Sequence, residues 1–363
     1  MTQRYLILED GSAYPGKAFG SLATTTGELV ANSTMNGYQE IISNQIYHNQ
    51  IIVFTQTSIG NTGLAQNAYE SVLPTAKGVI VREYENLATD HFKRISLDRY
   101  LKQHRIPGIY DVDTRQIRRH LQEKGNMKAS IVDVADEHAF DQLHATVLTN
   151  QQVAQVATPK PYPNPDEGAN VIVVDFGLKS GILRELSKRD CNVTVVPWDS
   201  TSETILDLDP DGVVLSTGPG APWNLPESVL SMIQKVQTQV PLFGIGLGHE
   251  LFALANGAKI TELRVEHHGS NHPIREIITN EIFFSGQEQG YAVDSKSINH
   301  AKLFITHVDL VNGTVQGLRH RDFPAFSVQF SPDGAPGPKD SVGLFDDFSE
   351  FMARRRDSNG ENY

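Results

Sequence analysis

Strands and helices alternate along residues 170–246, and this alternation restricts the fold more than any other feature of the sequence. Each strand is a short apolar run, as expected of a strand covered on both faces, and a helical stretch follows it. This order predicts an open, mostly parallel α/β sheet with helices on both faces. Strands are predicted over 170–177 and 192–198, a strand and a glycine turn over 212–220, and a strand that runs into a sharp turn over 241–246. The helices are predicted over 180–190, 201–208 and 226–239.

The chain before residue 157 has a different pattern and is predicted to form a separate, mixed α/β domain over residues 1–156. Short strands and turns alternate there with two stretches of helical spacing, 96–105 and 113–125. Asp113 is suited to cap the start of the second helix, and Gly125 is suited to end it. The whole chain is therefore predicted to be an α/β protein of two domains.

A proline-rich segment, 157–169, is predicted to link the two domains. Prolines stand at every second position from 159 to 165, which excludes helix and favours an extended chain. The second domain is predicted over 170–355, with shorter strands and hairpins from about residue 260. Residues 356–363 are predicted to form a polar tail.

Composition excludes several classes of function. The net charge of −12 argues against general nucleic-acid binding, which requires a basic surface. No apolar run approaches the length of a membrane span, and the first residues lack the pattern of a secretory signal. Cys191 is the only cysteine, so no intrachain disulfide is possible. These features favour a protein of the reducing cytoplasm.

The stretch PLFGIGLGHELFALANGAKI, residues 241–260, has the pattern of a buried strand, a glycine-rich turn and a helix. Enzymes use this arrangement to hold a nucleophile at the tip of the turn, beside helix N–H groups that bind an oxyanion. The residue at the tip is Gly246, which has no nucleophile. Gly244, Gly246 and Gly248 also fail to match the G-x-G-x-x-G spacing of a dinucleotide loop.

Other short motifs carry little weight. DFG at 175–177 precedes HRD at 320–322, which is the reverse of the order in protein kinases. HHGSNH at 267–272 offers three histidines, but no cysteine or second ligand cluster lies nearby in the sequence, so we predict no metal site. Four acidic residues without an evident partner base are predicted to be exposed carboxylates: Glu250, Glu288, Asp333 and Asp340.

An ordered series of motifs along the whole chain resembles the small, glutamine-amidotransferase subunit of carbamoyl-phosphate synthase. The motifs are LEDGSAYPGKAFG, STMNGYQEII, GNTG, GIYDVDTRQIRRHLQEKG, VDFGLKSGILREL, PDGVVLSTGPGAP, FGIGLGHELFALANGAKI, HHGSNHPI, QGYAVD, NGTVQGL, PAFSVQFSPDGAPGPKD and LFDDF. The resemblance implies an N-terminal domain joined to a class I glutamine amidotransferase domain. In the family, that domain hydrolyses glutamine and passes ammonia through a tunnel to a large subunit, whose product feeds arginine and pyrimidine synthesis.

The departures from the family fall on its catalytic triad. The family's nucleophilic cysteine corresponds to Gly246, its general-base histidine to Ser331 and its orienting glutamate to Asp333. Thiolate attack on an amide needs a sulfur, a base and a carboxylate, and only a carboxylate remains here. Substitute groups stay open: Ser216 or Thr217, which lack the elbow position, as nucleophile, and His249 or His272 as base.

The glutamine-binding positions implied by the resemblance are altered as well. The family's glutamine is replaced by Glu250, and its Asn-His pair by Glu288 and Gln289. Two added carboxylates would repel the α-carboxylate of glutamine by about 1–4 kcal/mol. The positions that keep the family's character are Gly218, Gly220, Leu247, Gly290 and Tyr291, with Thr34 where the family has a serine.

We predict a small-type subunit of carbamoyl-phosphate synthase that no longer hydrolyses glutamine and supports a large subunit using free ammonia. Two alternatives remain: a working glutaminase subunit that supplies ammonia from glutamine, and a free-standing pseudoenzyme that binds another small molecule. The resemblance implies a cytoplasmic heterodimer with the large subunit, and neither a nucleic-acid nor a membrane partner. It implies no cofactor in this subunit, since ATP, bicarbonate and magnesium belong to the large one.

Overall fold

The structure, a computed structural model, describes residues 2–87 and 94–360, with side chains as far as residue 357. The chain divides into two compact units. Unit 1 comprises Met1–Thr149 and Arg264–Gly269, and unit 2 comprises Asn150–Leu263 and Ser270–Tyr363. The segment 264–269 therefore belongs with the N-terminal unit, although no local pattern in the sequence predicts this.

Unit 1 is built on a closed barrel of seven strands. Its elements are β1 (Gln3–Leu8), β2 (Ala13–Gly20), β3 (Thr25–Asn32), α1 (Tyr38–Ser43), β4 (Gln50–Phe54), β5 (Ser58–Ile59), β6 (Gly78–Ile80), β7 (Glu83–Tyr84), α2 (Leu97–Gln103), β8 (Pro107–Tyr110), α3 (Thr114–Lys124), β9 (Met127–Val132) and α4 (Glu137–Ala145). The barrel order is β1-β2-β8-β6-β4-β3-β9, and β5 pairs with β7 separately. The barrel is the specific form that the predicted mixed α/β domain takes.

Strand β4 shows how the barrel is stabilised. Successive side chains of a strand point to opposite faces. Ile51 and Val53 therefore enter one buried apolar cluster with residues of α3, and Ile52 and Phe54 enter another with residues of α1 and α2. Full burial of such a side chain contributes about 1.5–3 kcal/mol, so this strand is held on both faces.

The two helices predicted in this unit are confirmed as α2 and α3. At the start of α3, the Asp113 carboxylate accepts a hydrogen bond from the Gln116 N–H at 3.0 Å. At its end, Gly125 has a φ of 98°, and its N–H donates to Leu121 O at 2.7 Å. The side chain thus caps the first turn, and a left-handed glycine ends the last.

Unit 2 contains a sheet of ten strands. Its elements are α5 (Gln152–Val156), β10 (Tyr162–Asn164), β11 (Asn170–Asp175), α6 (Ser180–Ser187), β12 (Asn192–Pro197), α7 (Ser202–Leu206), β13 (Gly212–Leu215), α8 (Glu227–Val236), β14 (Leu242–Ile245), α9 (Leu247–Ala255), β15 (Ile260–Glu276), β16 (Ile282–Val293), β17 (Leu303–Asp309), β18 (Val315–His320), β19 (Ala325–Val328) and α10 (Leu344–Gly360). The strand order is β10-β12-β11-β13-β14-β19-β18-β16-β15-β17, and β17 also pairs with β18.

The predicted alternation of strands and helices is confirmed between β11 and α9. Strands β12, β11, β13, β14 and β19 pair in parallel, and β10 and β18 flank them in antiparallel pairings. Ile172 and Val174 pack with α8 and α9, whereas Val171 and Val173 pack with α6 and α10. Helices therefore cover both faces of the parallel block, as predicted.

Three segments differ from their sequence-based descriptions. The proline-rich segment provides β10, which pairs with β12 at the edge of the sheet. Helix α10 runs to Gly360, into the stretch expected as a tail, and residues 361–363 lie outside the described residues. Strands β15 and β16, of 17 and 12 residues, are long where short strands were predicted. That prediction was wrong because β15 is polar and half-exposed, and so lacks apolar periodicity.

Within the described residues, no helix combines the length and the apolar character that crossing a membrane requires.

Candidate functional site

The predicted elbow lies between the end of β14 at Ile245 and the start of α9 at Leu247. Gly246 occupies its tip with φ 58° and ψ −114°, a conformation that is costly for any residue with a β-carbon. Its N–H donates to Val328 O at 2.9 Å, which ties the tip to β19. A β-carbon here would lie 3.2 Å from Thr217 Cγ2. The backbone of a nucleophile elbow is therefore present, without the nucleophile.

Gly218 and Gly220, two of the positions that keep the family's character, lie in the turn that follows β13. This turn packs against the elbow, because the Gly248 N–H donates to Ser216 O at 3.1 Å. A β-carbon at Gly218 would lie 2.3 Å from Phe176 O, so no other residue fits there without movement. Gly220 has a φ of 84°, in the left-handed region that favours glycine.

A buried lysine joins the two other positions that the resemblance assigns to the triad. The side chain of Lys179 is fully buried, and its Nζ donates to Ser331 Oγ and to Asp333 Oδ1, each at 3.2 Å. Glu288 Oε2 lies 4.0 Å from the same nitrogen. The structure thus brings Ser331, Asp333 and Glu288 together around an ammonium group that the sequence analysis did not single out.

The DFG motif explains how Lys179 reaches this position. One carboxylate oxygen of Asp175 accepts hydrogen bonds from the N–H groups of Gly177 and Leu178, both at 2.8 Å. Gly177 has a φ of 133°, so the chain turns sharply at the end of β11 before α6 begins. The sequence did contain a signal for Lys179, because this charged residue follows shortly after an apolar strand. Open α/β sheets place their functional groups at that end of the strands.

Glu250 and Gln329 extend the cluster. Glu250, on α9, is 3% exposed, and its Oε1 accepts a hydrogen bond from Gln329 Nε2 at 2.9 Å. The prediction of exposed carboxylates is therefore wrong for Glu250, Glu288 and Asp333, and it holds for Asp340. The error has a physical cause, because each buried carboxylate has a partner far away in the chain that local sequence does not reveal.

The other positions that the resemblance assigns to glutamine binding are each placed within one unit. Leu247 is buried at the start of α9. The Tyr291 ring, next to Gly290 in β16, makes an edge contact with the Trp223 ring at a centroid distance of 5.0 Å. Thr34 lies in unit 1 after β3, and its N–H donates to Asn32 Oδ1 at 2.9 Å. Gln289 is buried, and its Oε1 accepts from Gln316 Nε2 at 3.1 Å.

The hydroxyl groups considered as substitute nucleophiles bond to the backbone. Ser216 Oγ accepts from the Phe176 N–H at 2.9 Å and donates to Thr217 O at 2.8 Å. Thr217 Oγ1 donates to Gly177 O at 3.1 Å. Cys191 is buried in an apolar cluster, and burial raises its pKa to about 11. The hydroxyl groups of Ser216 and Thr217 therefore have a structural role. The Cys191 thiol stays protonated at neutral pH.

The histidines considered as substitute bases have other partners. His249 is fully buried with Nδ1 2.9 Å from Ser327 Oγ, and burial lowers its pKa to about 3. His272 Nδ1 lies 3.6 Å from Asp309 Oδ2. In unit 1, His268 Nε2 lies 2.5 Å from Glu266 Oε2. Across the described ranges, no group of three or more His, Cys, Asp or Glu side chains is arranged to hold a metal ion.

Two buried histidines make unit 2 sensitive to acid. Burial lowers the pKa of His249 to about 3 and that of His307 to about 4. In the unfolded chain these histidines take up protons near pH 6.5, but in the folded chain they do not. Their protonation therefore leaves the free energy of unfolding unchanged above pH 6.5 and lowers it as the pH decreases towards 4. We expect each histidine to lower the free energy of unfolding by about 2 kcal/mol at pH 5, and denaturant unfolding measures this change. His307→Asn should remove about half of this loss, whereas His138→Asn, at an exposed position, should leave it unchanged.

Comparison with known proteins identifies the family. The model "Carbamoyl-phosphate synthase small chain, CPSase domain" matches residues 6–131, and "Glutamine amidotransferase class-I" matches residues 172–351. The carbamoyl phosphate synthase pyrimidine-specific small chain of Lactiplantibacillus plantarum is 52% identical over 351 residues, which are 97% of this chain and 96% of that protein. The small chains of Streptococcus pyogenes and Lactococcus lactis are 51% and 49% identical over 354 residues, covering 97% of this chain and 98% and 99% of theirs. The chain therefore belongs to the carbamoyl-phosphate synthase small chain family.

Proposed function

We propose that this chain is a carbamoyl-phosphate synthase small subunit that does not hydrolyse glutamine and that supports a large subunit using free ammonia. One observation carries the proposal: Lys179 Nζ contacts Ser331 and Asp333, the positions of the family's base and orienting carboxylate. An ammonium group cannot accept the proton of a nucleophile, and the serine hydroxyl is a very weak base. Gly246 supplies no nucleophile to be activated.

The binding of glutamine is also expected to be weak, because two buried carboxylates would repel it. The side chains of Glu250 and Glu288 are both buried, at positions where the family binds glutamine. Each would repel the α-carboxylate of the substrate by about 1–4 kcal/mol at an effective dielectric constant typical of a partly wet cleft. Lys179 already contacts Asp333 and lies near Glu288, so little of its charge is left to offset the repulsion.

The partner in this proposal is the large synthetase subunit. Unit 1 keeps its complete barrel although the triad is lost, which fits a role in docking. An interface that forms a stable heterodimer would bury at least about 1,200 Å² in total. The name of the Lactiplantibacillus plantarum relative favours pyrimidine synthesis over arginine synthesis as the pathway served.

The test is a paired assay of this chain with its matching large subunit. We expect carbamoyl phosphate to form from ammonium chloride, and neither glutamate nor carbamoyl phosphate to form from glutamine above background. A glutamine-using synthase assayed in parallel is the control. Glutamate release at that control's rate would establish the working glutaminase instead. Separate elution of the two subunits at micromolar concentration would favour the free-standing binding protein.

A further inference from the structure

A cavity of about 260 Å³ lies in unit 2, between helix α10 and one face of the sheet. The sheet wall of this cavity includes Glu276, His307, Arg319 and Phe326. Glu276 pairs with His307 across β15 and β17, and Arg319 pairs with Phe326 across β18 and β19. Residues that pair directly across neighbouring strands project from the same face of a sheet. The four side chains therefore share one wall.

Helix α10 supplies the opposite wall of the cavity. Leu344, Asp347, Phe351 and Arg354 recur at intervals of three and four residues, so they lie along one side of the helix. The Phe351 ring meets the Phe326 ring at a centroid distance of 5.7 Å, which packs the helix against the sheet beside the cavity. Pockets for drug-sized ligands measure about 300–1,000 Å³, so this smaller cavity suits a small metabolite.

The cavity contains charges of both signs that no ion pair neutralises. The Arg319 guanidinium stacks on the Phe351 ring, 4.9 Å from its centroid, and no carboxylate among the described residues forms an ion pair with it. Asp347 likewise has no ion pair in the part of the chain that the structure describes. The Glu276 carboxylate accepts a hydrogen bond from Thr279 Oγ1 at 2.7 Å, which leaves its charge in place.

The placement of these charges favours a ligand that carries both signs. Burial raises the pKa of Asp347, and repulsion by Glu350 and Glu276 raises it further. The charge of Arg319 lowers the same pKa, so the two groups interact across the cavity although no ion pair joins them. Arg354 is already paired with Glu350 at 3.2 Å. An ammonium group is therefore stabilised beside Asp347, and a carboxylate beside Arg319.

His307 adds an uncharged polar group to the sheet wall. The residue is 5% exposed, and burial lowers its pKa to about 4. Its Nδ1 lies 2.9 Å from Thr306 Oγ1, and its Nε2 has no hydrogen-bond partner among the described residues. A neutral imidazole donates with one ring nitrogen and accepts with the other. At neutral pH it therefore repels neither charged group of such a ligand.

We propose that this cavity binds a free α-amino acid with an apolar side chain. The carboxylate of the ligand contacts Arg319, whose planar guanidinium presents paired donors. Its ammonium group contacts Asp347 and Glu276, and its side chain packs on Phe326 and Leu344. The inference goes beyond the proposed function, because none of these residues belongs to the glutamine-site positions.

The test is isothermal titration calorimetry of the purified chain with L-leucine, together with the thermal midpoint. We expect saturable binding of one L-leucine per chain and a higher thermal midpoint, because the ligand binds the folded chain and joins α10 to the sheet. Isoamylamine lacks the carboxylate of leucine, and isocaproate lacks its amino group. Each should bind about tenfold more weakly or worse, since each loses one charge-assisted contact.

Two variants test the two charges separately. Arg319→Met keeps a stem that packs on Phe351 but removes the guanidinium, and Asp347→Asn replaces a carboxylate by an amide of similar size. Each should weaken the binding of L-leucine about tenfold or more. Arg321→Met is the matched control, because Arg321 also stacks on a ring, that of Phe304 at 5.4 Å, but does not line the cavity. It should bind L-leucine like the unaltered chain.

Three results would overturn the inference. They are the absence of saturable binding at millimolar L-leucine, equally tight binding of isoamylamine or isocaproate, and binding that both variants leave unaltered while their thermal midpoints are retained. The second result means a site for a single charge, and the third places the amino acid elsewhere, as at the glutamine-site positions. If one variant fails to fold, the other decides, because Arg319 lies on the sheet and Asp347 on the helix.

Discussion

Replacing Lys179 with methionine is expected to lower the free energy of unfolding by about 3–5 kcal/mol, because it leaves buried carboxylates without their cation. The lysine side chain is fully buried, and those of Asp333 and Glu288 are 1% and 4% exposed, so water cannot compensate for the lost charge. Denaturant unfolding at pH 7 measures the change. Methionine keeps most of the volume of the lysine stem, which limits the contribution of a cavity.

The matched control is Lys188→Met. Lys188 also contacts a carboxylate, that of Glu185, but its side chain is 55% exposed, so we expect a loss below about 1 kcal/mol. The double variant Lys179→Met with Asp333→Asn should regain part of the loss, because the buried charge is removed together with its partner. Equal losses for Lys179→Met and Lys188→Met would mean that water reaches the cluster and that Lys179 is not the centre of its charge balance.

Gly246→Cys alone is expected to release no glutamate and to lower the thermal midpoint. The tip has φ 58° and ψ −114°, which costs a residue with a β-carbon about 1–3 kcal/mol, and the new β-carbon would lie 3.2 Å from Thr217 Cγ2. The thiol would also lack a base, because Ser331 interacts with an ammonium group. The measurements are glutamate release and the thermal midpoint of each variant in a stepwise series.

Glutamate release is expected only when both the triad and the pocket are rebuilt. The series adds Ser331→His and Asp333→Glu to Gly246→Cys, and then Glu250→Gln, Glu288→Asn and Gln289→His. The imidazole can take the thiol proton, and removal of the two carboxylates ends the repulsion of the substrate. The same set without Ser331→His is the control and should be inactive. Strong activity of Gly246→Cys alone would place the base elsewhere, at His249 or His272.

The fold could be predicted from sequence where its contacts are local. The apolar runs between 170 and 246 pair in parallel with their neighbours, so their alternation with helices was sufficient. The barrel of unit 1 was not predicted, because β1 pairs with β9 across more than a hundred residues. Short strands carry no local information about a partner at that separation.

The site could be predicted in part for a related reason. The resemblance assigned Gly246, Ser331 and Asp333, and the structure joins the last two. The contacts that define the cluster were not foreseen, because 154 residues separate Lys179 from Asp333 and 79 separate Glu250 from Gln329. In the sequence, each of these residues has the character of an ordinary charged or amide side chain of the surface. Only the fold turns them into one buried network.

The way the strands close has a consequence for assembly and solubility. A barrel has no edge strand, so the seven barrel strands of unit 1 offer no edge that another chain could extend. In unit 2, β17 pairs with both β15 and β18, and the strand at the other end is β10, which has three residues. Pro163 in that strand has no N–H to offer to a neighbouring backbone. We therefore expect a partner to recognise side chains and loops, and the chain to resist the strand-by-strand addition that leads to fibrils.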